Sequence, residues 1–179
     1  MTSTELQLSM EVAELKKEIH ELKQRPFINT TNNHTNNNTN NITVFNINCY
    51  GKENLNHITP KYIEYLIGRP FTSTTELIKQ IHFHPDHPEN HNVKITNKKL
   101  PWAEVYNGDK WITRKKKEVL EELVENGFNT VDEAYHKVDH SKISSFQKSR
   151  YEDYQQQYKE KELRKQLVQD AEMVVLNGP

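Results

Sequence analysis

At 179 residues the chain has room for one domain with appendages, and its apolar fraction of 34% with a mean hydropathy of −0.95 points to a small core carrying long solvated helices or tails. A formal charge of −1, from 24 Lys and Arg against 25 Asp and Glu, excludes a global basic field that would draw the whole molecule to nucleic acid or an anionic membrane. The single cysteine, Cys49, excludes an intrachain disulfide and a cysteine-based zinc finger, and its apolar flanks Ile47 and Tyr50 predict a small buried hydrophobe.

Leu8, Val12, Leu15, Ile19 and Leu22 are spaced 4, 3, 4 and 3, the a/d seam of a coiled coil, and Glu11, Glu14, Lys16, Lys17, Glu18 and Glu21 charge the outer face. Residues 4–25 are therefore expected to form an oligomerisation helix. Val12 and Ile19 at a with leucine at d favour a parallel dimer, though two heptads specify a dimer over a trimer only weakly. Pro26 stops the helix, and from Asn29 to Asn41 the chain is only Asn, Thr and one His. Residues 26–42 read as a neck or linker, flexible or stacked as Asn ladders between parallel chains. No apolar run approaches the roughly 18 residues of a membrane span, and the first residues lack the charged-then-apolar pattern of an export signal. The expected protein contacts no membrane and is intracellular.

Residues 43–140 read as an α+β domain. Ile42 to Tyr50 alternates as a strand ended by Gly51. Thr59 and Pro60 open a short helix that Gly68 closes, with Tyr62, Ile63, Leu66 and Ile67 inward. Ser73 and Glu76 have capping-box spacing, which predicts a second helix burying Leu77, Ile78 and Ile81. Beyond a histidine-rich stretch, Asn92 to Thr96, Trp102 to Tyr106 and Lys110 to Thr113 alternate as a three-stranded antiparallel meander. Asn107-Gly108 is its expected tight turn, and Trp102 and Trp111 are its expected packing anchors. Arg114 to Asn126 predicts a helix stopped by Gly127, and Thr130 with Glu133 a further one. From Ser141 to Leu176 there is no Gly or Pro, so residues 141–179 read as one long C-terminal helix with a drifting apolar stripe.

The stretch with the densest chemistry is Ile81 to Asn97. It holds four of the nine histidines, His82, His84, His87 and His91, with Pro85 and Pro88 between them. Neutral imidazoles at this density suit zinc, copper or nickel, so these four are the metal-ligand candidates. The His and Asn content also has a loose likeness to HNH nucleases, with His82, Asn90 and Asn92, or His91 and Asn97, in the catalytic parts. The plainer expectation is a helix-to-strand connection whose polar side chains bond its own backbone, with no cofactor, no metal and no catalytic residue. A third reading places nucleic acid against Lys94, Lys98, Lys99 and the run from Arg114 through Lys115 and Lys116 to Lys117, with Tyr106 or Trp111 stacking.

The motif residues Ile81, His82, Phe83, Pro85, Pro88, Glu89, Asn90, His91 and Asn92, followed by Ile95, Asn97, Tyr106, Gly108 and Trp111, resemble a domain of uncharacterised proteins from large and giant DNA viruses of eukaryotes. In that family a coiled coil and an Asn-rich tract precede the motif. The chain departs from it at His84, where an Asn is expected, and a variable position is a poor metal ligand. The resemblance brings no established activity with it; joined to the heptad seam, it leads to the expectation of a viral homo-oligomer, dimer or trimer, acting as a scaffold or interaction protein with an unknown protein partner. It also implies a place in the host cytoplasm, the viral factory or the virion. Some members carry a zinc-finger module in front of the domain, which implies a multimerising unit behind a DNA reader.

Overall fold

The computed structural model describes residues 46–178. The coiled-coil seam of Leu8, Val12, Leu15, Ile19 and Leu22, the Asn-rich neck and the first residues of the Ile42–Tyr50 strand lie outside them. The described chain is α+β, a three-stranded antiparallel sheet with five helices.

The sheet is the predicted meander, in the order β1 (Val93–Lys94), β2 (Trp102–Tyr106) and β3 (Trp111–Lys115). Its register sets Val93 opposite Val105 and Trp102 opposite Lys115. Alternation sends Val93, Ile95, Ala103 and Val105 into the core, each less than a tenth exposed. Two expectations fail here. The turn is a four-residue loop in which the Asn107 side-chain oxygen accepts from the backbone N–H of Asp109 and Lys110, and only Gly108 takes a positive φ, +94°. Trp102 is no packing anchor, because even positions of β2 face away from the core, and it is 48% exposed.

Helices α1 (Pro60–Ile67) and α2 (Pro70–His82) precede the sheet. The Thr59 hydroxyl accepts from Tyr62 N and Pro60 occupies the first turn, as the sequence predicts. The predicted start of α2 at Ser73 is three residues late. Pro70 opens that helix, and the buried Ser73 hydroxyl donates back to the Pro70 carbonyl at 2.7 Å, as a mid-helix serine does. The 46–50 stretch is not a strand of the sheet, although Tyr50 N donates to Tyr106 O and Asn48 N to Glu89 O. Cys49 is only partly buried.

Helix α3 (Lys116–Lys137) runs unbroken through Gly127, where the sequence predicts a stop and a restart. Thr130 is no cap there; its hydroxyl donates to Asn126 O inside the helix. The predicted long C-terminal helix is in fact two, α4 (Ser145–Lys159) and α5 (Lys161–Leu176). Ser144 and Gln147 form a capping box at the start of α4. Glu160 breaks the run by adopting an extended backbone, φ −82° and ψ 138°. That conformation is open to any residue, so the turn needs no Gly or Pro. Splitting the helix lets both halves lay their stripes on α2: Tyr151 and Tyr154 from one, Leu167, Ala171 and Val175 from the other. Thr74 and Tyr154 share a buried hydroxyl–hydroxyl hydrogen bond of 2.7 Å, and Phe128 of α3 stacks on Tyr158 at 3.5 Å.

Candidate functional site

The motif loop leaves the end of α2 and returns as β1, so both its ends are anchored in the core. Between them Pro88–Asn90 makes a single 3-10 turn. That turn carries Asn90 inward until it is fully buried, and Asn92, two residues on, is fully buried as well. Two buried amides need partners, since each orphaned polar group costs about 1–3 kcal/mol. All but one of those partners lie 36 to 42 residues away. The Asn90 side-chain oxygen accepts from Asn48 Nδ2 at 2.8 Å and from Asn54 N at 2.9 Å, while its NH2 donates to Asn54 O at 2.8 Å. Asn92 donates to a Glu53 carboxylate oxygen at 2.8 Å and meets His82 Nδ1 through its own oxygen at 2.9 Å. Because an amide oxygen only accepts, Nδ1 of His82 carries the proton. The same Glu53 oxygen accepts from Gly51 N at 2.7 Å, where Gly51 turns at φ +82°.

The result is a polar clasp: His82, Asn90 and Asn92 of the motif hold the segment from Asn48 to Asn54 against the loop and the sheet. The plainer sequence expectation, side chains bonding the loop's own backbone, holds for two of the four histidines. His84 Nδ1 accepts from Asp86 N, and a ring nitrogen of His91 meets His84 O at 3.1 Å. His87 pairs with Glu89 at 3.1 Å and stacks on His57, ring centres 3.8 Å apart. Among the described residues no group of three or more His, Cys, Asp or Glu side chains converges to hold a metal ion, so His82, His84, His87 and His91 do not form the ligand set their spacing suggests. Of the residues in the HNH-like likeness, His82, Asn90 and Asn92 are buried and bonded to one another or to Glu53, Asn48 and Asn54, while His91 is half-buried and Asn97 exposed. Phe83 is buried and packs near His82 and His91, which makes it part of the core.

A cavity of about 100 Å3 lies beside the clasp, bordered by Tyr50, Glu53 and His82 and closed by Ile78 and Leu123. Burial lowers the pKa of His82, with the Glu53 carboxylate 3.8 Å away and the Asn92 hydrogen bond acting in the opposite direction. Burial likewise pushes the Tyr50 phenol up, so that it stays neutral. The sign for His82 follows from linkage. The unfolded chain takes up a proton at its ordinary pKa of about 6.5 before the folded chain does, so stability is full above pH 6.5 and falls as the pH drops below it. The loss has a limit of about 1.4 kcal/mol per pH unit for one proton. Urea unfolding at pH 7.5 and 5.5 is expected to show this loss in the parent, and a smaller one in His82→Gln; equal losses in the two would remove His82 as the cause.

The lysines named for nucleic acid divide. Lys116 is half-buried and already engaged: its ammonium binds Glu172 of α5 and the Lys98 carbonyl, both at 2.8 Å. Lys115 pairs with Glu118 at 2.9 Å on the surface, and Lys98 and Lys99 are exposed in the loop between β1 and β2. Asn48, Glu53 and Asn54 are the clasp residues that sequence reasoning missed. Their only local signal is polar side chains around Gly51, which any turn shares. Comparison of the chain with family models, with curated proteins and with solved structures finds no match.

Proposed function

We propose that the chain is a non-catalytic, oligomeric interaction protein, its copies joined by the N-terminal heptads and its partner surface carried by the folded domain, the head. One observation carries the non-catalytic part: the residues with the most chemistry, His82, Asn90, Asn92 and Glu53, spend their hydrogen bonds on one another and on the Asn48–Asn54 segment. A general base has to reach a substrate proton, and a buried imidazole bonded to a buried amide does not. The clasp instead ties together parts of the chain that are distant in sequence, which is what a head of fixed shape needs. The oligomeric part rests on the a/d seam of Leu8, Val12, Leu15, Ile19 and Leu22. The motif's resemblance to the domain of large eukaryotic DNA viruses supports a viral origin, and the scaffold role rests on the seam and the clasp. Among the described residues no helix is long and apolar enough to cross a membrane.

Native mass spectrometry of the full chain tests the assembly. The parent is expected as a dimer or trimer, and Leu15→Asp combined with Leu22→Asp as a monomer with unchanged thermal unfolding of the head. A monomeric parent at tens of micromolar would sink the reading.

A further inference from the structure

The sheet has a second face that the core does not use. Ala103 and Val105 point at the helices and are 2% exposed, so Trp102, Glu104 and Tyr106 point the other way. The register places Lys115 beside Trp102, Trp111 beside Tyr106, and Lys94 beside Glu104 on this face. Trp102 is 48% exposed, Tyr106 and Trp111 meet edge-on at 5.7 Å, and the Lys94 ammonium rests 4.1 Å above the Trp111 ring. Among the described residues the helices that touch the sheet, α3 and α5, lie on the buried side.

We propose that this face binds single-stranded nucleic acid, its bases stacking on Trp102 and Trp111 and its phosphates meeting Lys94, Lys98, Lys99 and Lys115. Charge argues for a polyanion. Residues 93–117 hold eight Lys or Arg against Glu104 and Asp109 alone, in a chain whose total charge is −1. Two of the eight, Arg114 and Lys116, are spent on Glu122 and Glu172 behind the sheet; on the open side Lys94 pairs with Glu104 at 3.1 Å and Lys115 with Glu118 at 2.9 Å, exposed ion pairs that a phosphate can displace, while Lys98 and Lys99 have no carboxylate partner among the described residues. Shape argues for an extended strand. Trp102 and the Tyr106–Trp111 pair stand about 13 Å apart along β2, too far for one small anion to touch both. Exposed flat rings argue against a duplex, whose bases are already stacked on one another, and for unpaired bases, each of which offers a π-face. The Lys94 ammonium that covers Trp111 also pairs with Glu104 at 3.1 Å, a surface ion pair that holds it weakly, so it can exchange that carboxylate for a phosphate as a base takes its place on the ring. The surface lies wholly within the head, so its occupancy stands apart from the assembly reading.

The test is a fluorescence-anisotropy titration of the full-length protein against a labelled 20-nucleotide oligothymidine in 50 mM salt, with a duplex of equal length and polyglutamate as competitors. Oligothymidine is expected to bind, to quench tryptophan emission, and to weaken with salt at a log–log slope of about −2 to −3 for three to four phosphate contacts. Trp102→Ala is expected to weaken it about tenfold, Trp102→Phe to restore most of it, and Lys94→Ala with Lys99→Ala to flatten the salt slope. Circular dichroism melts confirm that each variant is folded, which the exposure of these side chains favours. No binding in 50 mM salt overturns the proposal. So does equal competition by duplex or polyglutamate, or a Trp102→Ala variant that binds like the parent.

Discussion

Asn90→Ala is expected to destabilise the head by on the order of 3 kcal/mol, a fall of roughly 10 °C in Tm for a unit of this size. The argument is one of unmade hydrogen bonds. Asn90 is fully buried and makes three bonds, to Asn48 Nδ2, Asn54 N and Asn54 O, at 2.8 to 2.9 Å. Alanine removes both ends of the amide at once and leaves the backbone of Asn54 without its partners. Those groups sit at the edge of the domain, so water can reach some of them, which keeps the expected loss below the sum of three full penalties. Asn90→Asp keeps the shape and separates the contributions. It retains an acceptor for Asn54 N but sets a carboxylate against the Asn54 carbonyl, so it should be no more stable than the alanine variant. Asn54→Ala is the control. Asn90 grips the backbone of Asn54, whose side chain only accepts from Asn56 N at the surface, so that variant should lose less than about 1 kcal/mol. Urea unfolding of the three variants decides it: an Asn90→Ala midpoint within error of the parent would mean that the clasp is decoration.

The clasp also shows where sequence reading runs out. The motif is legible as a dense polar connection between a helix and a strand, and so are the meander, the Thr59–Pro60 helix start and the shared face of Val93 and Ile95, because each is written in a short local pattern; the inward face of β2 is not, since Ala103 and Val105 are buried and the bulkier Trp102, the expected anchor, is exposed. The partners of Asn90 and Asn92 are not, since Asn48, Glu53 and Asn54 lie about 40 residues upstream and no local rule links them. The same limit explains the C-terminal half. A turn at Glu160 needs only an extended backbone that every residue can adopt, so a run without Gly or Pro reads as one helix until the packing of Tyr151, Tyr154, Leu167 and Ala171 against α2 decides otherwise. Capping-box spacing misled twice, at Ser73 and Thr130. A hydroxyl three residues before a glutamate serves equally well inside a helix by bonding backwards to a carbonyl.

Gly127→Leu is expected to cost about 3 kcal/mol, at the upper end of what overpacking a tight contact does, while Gly127→Ala should stay within about 1 kcal/mol of the parent. The pair of variants distinguishes two meanings of the same glycine. Were Gly127 the left-handed residue that ends a helix, alanine there would be strained and clearly destabilising. Gly127 instead lies inside the continuous helix α3, and its φ is not positive. It is small because α2 crosses there: an added Cβ would stand 3.1 Å from the Thr74 methyl, 3.4 Å from the Thr74 carbonyl oxygen and 3.6 Å from Ile78 Cγ1. Alanine gains close to 1 kcal/mol of helix propensity and gives part of it back by pressing on Thr74, whose hydroxyl is held by Tyr154 at 2.7 Å. Leucine has no such offset and must push α2 and α3 apart, disturbing Leu77, Ile78 and Val124 together. Thr74→Ser removes the methyl that alanine would press, so Gly127→Ala should become stabilising in that background. If alanine costs as much as leucine in chemical denaturation, the glycine is needed for its backbone, and the helix crossing does not explain it.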